Sequence, residues 1–308
     1  MKLLKITYDG LFYQHWSFLV AFSYFIKGIA RELKIAPKWF FEWHRNIKIR
    51  VFKKRWQKTN SQGMSYFDIN GALFSDFSVE KEMFYGFISL IFDDTFLISC
   101  FHGDNYDAKI VDRLDKHMIE GPYGYRKEGF DVTVSKNDIV IDVGAWIGDF
   151  SAYASSKGAT CYAFEPSSKA FSILCKTAQL NKNIYPVQKG IGDKESELLL
   201  LSTGLDASNS VVTEDDTVPS EKITIITLDQ FVEENKLEKI DFIKADIEGY
   251  ERNLLKGATQ VLKKYAPKIA ICTYHLPDDP QVLEKIILEA NPDYKIIHLR
   301  HKLFGYVV

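Results

Sequence analysis

The chain has 308 residues and a mass of 35.4 kDa, with 46% hydrophobic and 26% charged residues. This is an ordinary globular composition, sized for one large domain or a core with an appendage, and it excludes a disordered chain, a collagen-like repeat and a small disulfide scaffold. The net charge of −2 argues against a wholesale nucleic-acid binder, yet residues 1–58 hold 13 Lys and Arg against 3 Asp and Glu, while the rest hold 26 against 38.

The first segment is therefore basic and the body acidic, which points to an anionic partner for residues 11–58, such as a membrane surface. The apolar run Trp16–Ile26 would rise about 16 Å as a helix, roughly half a hydrocarbon core and too short to span it. Lys2 and Lys5 precede it in the manner of a signal peptide, but no small-residue cleavage site follows. After Pro37, aromatic rings interleave with cations in KWFFEWHRNIKIRVFKKRWQK. That pattern suits a peripheral membrane anchor, a nucleic-acid arm, or a helix packed on the body with its cations in solvent.

TNSQG at 59–63 reads as a linker. Residues 64–138 alternate apolar runs with turns, and form a cap or small subdomain. Within them Met83–Leu90 and Thr95–Phe101 read as strands or buried segments, Ala108–Ile119 as helical, and Gly121–Tyr125 as a turn-rich aromatic loop. The predicted organisation is a basic arm over 1–63, a cap over 64–138 and a core over 139–308. Cys100, Cys161, Cys175 and Cys272 lie far apart with no CxxC pair. They read as reduced thiols of a cytoplasmic protein, peripheral to a membrane if the arm docks there.

The core begins with IVIDVGAWIGDFS at 139–151. A buried strand runs straight into Gly144 and Gly148, and glycine lets the backbone approach a ligand at the start of the next helix. Trp146 breaks GxGxxG, and no Walker lysine is present. The D-x-G-x-x-x-G spacing suits S-adenosylmethionine, with Asp142, Gly144, Ala145 and Gly148 as candidate binding residues. The next strand, Thr160–Phe164, ends at Glu165, placed to accept hydrogen bonds from ribose hydroxyls. Ile191, after a third strand, is set to line an adenine pocket. Further on come a strand at Ile223–Ile226, a capping box at Thr227–Gln230, and a strand over Asp241–Ala245 ending at Asp246. A helix opening at Ile247–Tyr250 and a strand over Pro267–Tyr274 ending at His275 follow. The order predicts an α/β fold, a Rossmann-like, doubly wound, mostly parallel sheet with functional residues at its carboxyl edge.

Several linked motifs are similar to one family: DVGAWIGDFS at 142–151, AFEP at 163–166, TLDQF at 227–231, KADIEGYERNLLKGA at 244–258, YHLPDD at 274–279 and NPDYKIIHLRH at 291–301. Over about 139–301 the chain resembles the FkbM family of class I S-adenosylmethionine-dependent methyltransferases. The resemblance implies O-methylation of a hydroxyl on a sugar, glycan or related natural product. The family usually carries asparagine where Trp146 stands. The strand ends deliver Asp246, Glu248 and His275 to the reacting centre. His275 is the expected general base, Asp246 a group that holds cofactor or acceptor, and Glu248 an orienting group. These three could also converge on a metal, but no spacing demands one and none is assigned. Alternatives are a degenerate methyltransferase fold serving as a scaffold, and a nicotinamide-dependent oxidoreductase, which the missing GxGxxG disfavours.

Overall fold

The computed structural model describes residues 26, 38–69, 71–93, 123–127, 129–201, 210–211, 220–299 and 301–308. The apolar run before Ile26 and the segments 95–101 and 108–119 lie outside them. Among the described residues no helix is long and apolar enough to cross a membrane. Two compact units emerge, one of residues 1–70 and 76–122, the other of 71–75 and 123–308.

In the smaller unit, α1 (Lys38–Trp56) is the aromatic and basic segment. His44, Lys48, Phe52 and Trp56 recur every fourth residue and are buried, whereas Arg50, Lys54 and Arg55 are exposed. The rings of Phe52 and Trp56 thus belong to a core with Phe67, Phe84 and Phe87, and of the described aromatic side chains on α1 Trp43 is the exposed one. β1 (Gln57–Thr59) and β2 (Ser65–Ile69) form an antiparallel hairpin. The expected linker at 59–63 is instead its turn: the Asn60 carboxamide accepts the amides of Gln62 and Met64 at 2.9 Å each, so no domain boundary falls at residue 63. Met83–Leu90, expected as strand or buried segment, lies in helix α2 (Lys81–Asp93). Met83, Phe84, Phe87 and Ile88 are buried at helical spacing.

The larger unit contains β3 (Ala72–Ser75), which packs on α3 (Asp149–Ser156) and α4 (Ser168–Leu180). The Asn181 carboxamide donates to the Leu73 carbonyl at 2.7 Å. A hairpin of β4 (Tyr125–Lys127) and β5 (Phe130–Val132) leads into the sheet. Its strands are β6 (Ile139–Val143), β7 (Thr160–Phe164), β8 (Ile184–Val187), β13 (Phe242–Ala245), β14 (Lys268–Cys272), β15 (Lys295–Leu299) and β16 (Lys302–Tyr306). Their order is β15-β16-β14-β13-β6-β7-β8. β6, β7, β8, β13 and β14 pair in parallel, and β16 runs antiparallel to both neighbours. The predicted doubly wound, mostly parallel sheet is present. The strand order reverses between β6 and β13, which is where such sheets bind ligands. Val140, Ile141, Val143, Ile243, Ala245, Ile269 and Ile271 are fully or almost fully buried, as strands covered on both faces must be.

A smaller sheet, β11 (Ser210–Val211), β10 (Ser196–Leu201), β12 (Ser220–Ile226) and β9 (Gly190–Ile191), stands beside the large one. α5 (Leu228–Glu234) starts at the predicted cap, where Thr227 Oγ1 accepts the Gln230 amide at 3.0 Å. The helix expected from Ile247 to Lys264 is two, α6 (Glu251–Lys256) and α7 (Thr259–Lys264), and α8 (Asp279–Ala290) precedes β15.

Candidate functional site

Residues 144–148 join β6 to α3 across the carboxyl edge. Gly144 has φ 73°, and a Cβ there would stand 2.0 Å from the Asp246 carbonyl oxygen. Only glycine lets this loop lie so close to the end of β13. The Gly144 and Ala145 amides both donate to the Phe164 carbonyl, at 3.0 and 2.9 Å, which ties the loop to β7.

A cleft of about 680 Å³, including its open mouth, lies over this edge. Gly144, Trp146, Glu165, Ile191, Asp246 and Glu248 are among its lining residues, and Leu200, Ile223, Ile225 and Tyr250 give it an apolar side. Of the expected cofactor residues, Gly144, Glu165, Ile191 and Asp246 therefore face one space. Asp142, Ala145 and Gly148 do not. Asp142 is fully buried, accepts the Ser151 hydroxyl at 2.6 Å and pairs with Lys244 at 3.0 Å. Gly148 packs on α4, where a Cβ would meet Leu174 at 2.8 Å. These three shape the loop from beneath.

Glu165 is buried at 8% exposure, and its two oxygens accept the amides of Trp146 at 2.9 Å and Ser167 at 2.8 Å. Burial pushes its carboxyl up to about 7, although those amides and the Lys244 charge pull the other way. Lys244 is held charged: burial opposes it, but Asp142, Asp149 and Asp246 prevail and raise it.

At the far end of the cleft, Asp246 opens onto a cluster of titratable side chains. The Tyr123 hydroxyl donates to its Oδ2 and the Tyr274 hydroxyl to its Oδ1 at 3.2 Å. Burial would raise the Asp246 carboxyl, but Lys244, Lys302, Tyr123 and His275 outweigh it and hold it low. His275 Nε2 lies 3.6 Å from Asp246 Oδ1 and 3.5 Å from Glu248 Oε2. Its Nδ1 lies 2.9 Å from Oε1 of Glu251. Burial lowers the imidazole, yet Glu251, Asp246 and Glu248 together lift it to about 9, so it carries its proton at neutral pH. The three expected catalytic residues thus meet in space.

Sequence reasoning missed Glu251, Tyr123, Tyr274 and Lys302. Glu251 had a signal, since it stands one helical turn after Glu248 in DIEGYE at 246–251. Lys302 is buried with its Nζ 4.2 Å from the Tyr123 ring, and no spacing announces that contact.

The family model for the methyltransferase FkbM domain matches residues 142–301, half of the chain. The chain belongs to the FkbM methyltransferase family. A hexuronic acid methyltransferase, AglP of Haloferax volcanii, is 28% identical over 167 residues, covering 53% of this chain and 67% of that protein. The FkbM methyltransferase structure from Methylobacillus flagellatus aligns with 86% of this chain at 20% identity and TM-score 0.46. This chain spans 60% of that protein's length. Aeropyrum pernix fibrillarin, solved with natively bound S-adenosyl-L-methionine, aligns with 58% of this chain and 70% of its own at 12% identity and TM-score 0.38.

FkbM methyltransferases use S-adenosylmethionine, and the cleft fits that cofactor. An acid at the end of β7 faces where ribose hydroxyls lie in nucleoside-binding sheets. The apolar side of Ile191, Leu200, Ile223 and Ile225 suits a flat base. Gly192 adds room, since a Cβ there would meet Ile225 at 2.7 Å and Tyr250 at 2.8 Å.

Proposed function

We propose that the chain transfers a methyl group from S-adenosylmethionine to a hydroxyl of a sugar or glycan, with acceptors that carry hexuronic acid foremost. One observation carries the reading: Asp246 belongs both to the cleft and to the acid–histidine cluster beside it. A donor pocket thereby opens onto groups able to take a proton. The uronic acid preference draws on the printed activity of the Haloferax relative.

Bound in the cleft, the cofactor supplies an electrophilic methyl group on a sulfonium. The Gly144 loop and Glu165 would hold its amino-acid and nucleoside ends, and Asp246, steadied by Tyr123 and Tyr274, would position the acceptor hydroxyl. Methylation releases the hydroxyl proton, which a positioned base must take. Glu248 lines the cleft and receives it; His275, outside the cleft lining and 3.5 Å from Glu248, already carries its proton at neutral pH and favours the Glu248 carboxylate by its charge. In this reading the base role expected of His275 from sequence passes to Glu248.

The test is to incubate the full chain with methyl-labelled S-adenosylmethionine and a panel of uronic and neutral glycosides. Base-stable label on the sugar is the expected product. Label released by mild alkali would place the methyl on a carboxylate and overturn the hydroxyl assignment. Calorimetry that detects NADH binding but no S-adenosylmethionine binding would overturn methyl transfer altogether.

A further inference from the structure

We infer that Asp246, Glu251 and His275 form a binding site for a first-row divalent cation at the edge of the cleft. One ligand-type atom from each residue lies within 4.8 Å of the other two. Glu251 Oε1 lies 2.9 Å from Nδ1 of His275 and Asp246 Oδ1 lies 3.6 Å from its Nε2; one ion takes only one of these two nitrogens. An octahedral ion with ligands at about 2.1 Å separates neighbouring donor atoms by about 3.0 Å and opposite ones by about 4.2 Å. The three donor atoms, all within 4.8 Å of one another, need only a small inward movement to reach that spacing.

Proximity of acids alone would not make a site; the state of the buried polar groups does. Glu251 is completely buried; its Oε1 accepts the Ile247 amide at 3.0 Å, and its Oε2 has no hydrogen-bond partner among the described residues. The His275 side chain is 7% exposed, and neither ring nitrogen has an acceptor in hydrogen-bonding alignment, despite three carboxylates around it. An imidazolium built to neutralise those acids would direct its N–H groups at their oxygens. Here Asp246 and Glu248 stand 3.6 and 3.5 Å from Nε2, which directs no hydrogen bond at either, as ligands do around a shared cation. Buried carboxylates lacking such a partner are costly.

Neighbouring groups restrict where the ion sits. Tyr123 and Tyr274 hold the Asp246 carboxylate in place. Lys244 is committed to Asp142, and Lys302 lies against the Tyr123 ring. Glu248, 3.5 Å from His275 Nε2, stands on the cleft side as a further oxygen donor. One imidazole with carboxylates favours Mn²⁺, Fe²⁺, Co²⁺ or Zn²⁺ over Ca²⁺ and Mg²⁺. The use of the ion rests on the methyl-transfer reading: beside Asp246 it would polarise the acceptor hydroxyl and ease loss of its proton. The site itself does not rest on that reading.

The experiment titrates chelator-stripped full chain with Mn²⁺ alone, read by the paramagnetic resonance signal of the free ion, and measures S-adenosylmethionine binding separately by calorimetry. One Mn²⁺ per chain is expected, with affinity reduced tenfold or more in E251Q and in H275Q. Thermal melting of the unsubstituted chain should shift upward with Mn²⁺, a readout that does not depend on either variant folding. An undiminished free-ion signal with an unchanged melting curve overturns the site, as does Mn²⁺ binding of equal strength in the chain and both variants. Mn²⁺ bound as expected by a chain that ignores S-adenosylmethionine would support the site and sink methyl transfer.

Discussion

Glu165 carries the sharpest prediction, because one buried carboxyl joins cofactor affinity to pH. Unliganded, its pKa stands at about 7, raised mainly by burial. Accepting hydrogen bonds from ribose hydroxyls favours the carboxylate, so binding must release whatever proton Glu165 still holds. At pH 8 about one site in ten is protonated, and at pH 6 about ten in eleven, so affinity should fall roughly tenfold between them. Glu165→Gln removes both the charge and its titration. Loss of a charge-assisted hydrogen bond costs about 1.5–3 kcal/mol, or about 10- to 150-fold in affinity at pH 8. The assay is calorimetric titration of the chain and the variant with S-adenosylmethionine between pH 6 and 8. The difference between the two profiles isolates Glu165 from titration of the ligand itself. Stability moves in the opposite sense and over a lower pH window. The folded chain keeps a proton that the unfolded chain loses above 4.5, so the Glu165 contribution to stability is full below 4.5 and declines until about 7. A variant that binds within twofold of the parent at pH 8, with the same pH profile, would refute the placement of Glu165 on the ribose.

Three further substitutions test the frame of the site. Gly144→Ala would set a Cβ 2.0 Å from the Asp246 carbonyl at φ 73°; it should cost about 3 kcal/mol or more in denaturant unfolding and abolish cofactor binding. Lys244→Met leaves Asp142 buried without its 3.0 Å partner. The expected loss is about 3–5 kcal/mol, read as a melting temperature lower by about 2–4 °C for each kcal/mol. Lys54→Glu on α1, where the side chain is exposed, should leave the melting temperature within about 1 °C; it should weaken sedimentation with anionic vesicles only if this helix docks on them.

The sheet was readable because β6, β7, β13 and β14 are mostly apolar runs, interrupted by Asp142 and Lys244 and followed within three residues by Gly144, Glu165, Asp246 and His275, and both-face burial imposes the apolar pattern. The cleft was readable for the same reason: Gly144, Glu165 and Asp246 lie within a residue or two of strand ends. Met83–Leu90 was ambiguous because a short apolar run fits either a strand or a buried helix. Its 83, 84, 87, 88 spacing is the helical clue. The turn at Asn60–Gly63 resembled a linker because polar, small residues serve both. Tyr123, Lys302 and Glu251 reach the cluster from three separate elements, and long-range convergence leaves no local period to read. Asp142 fitted the binding motif, yet its role is to anchor Lys244 and Ser151 beneath the loop.

Trp146 shows how a departure from the family pattern can be turned into a measurement. Its φ of 47° is left-handed, a region that asparagine enters more readily than a bulky aromatic. The residue that FkbM proteins usually carry here therefore suits the backbone better than the one present. Trp146 adds a second cost: its indole Nε1 is buried with no hydrogen-bond partner among the described residues. An unsatisfied buried donor costs about 1–3 kcal/mol. Trp146→Phe keeps an aromatic ring against the cleft and deletes that donor, so it should raise stability by up to that amount. Trp146→Asn should recover part of the backbone strain as well, about 1 kcal/mol, while giving up the ring's packing. Melting of both variants without ligand separates the two terms. A Trp146→Phe chain that melts below the parent would mean the indole N–H has a partner after all, and the two variants' affinities for S-adenosylmethionine would then show whether the ring itself holds the cofactor.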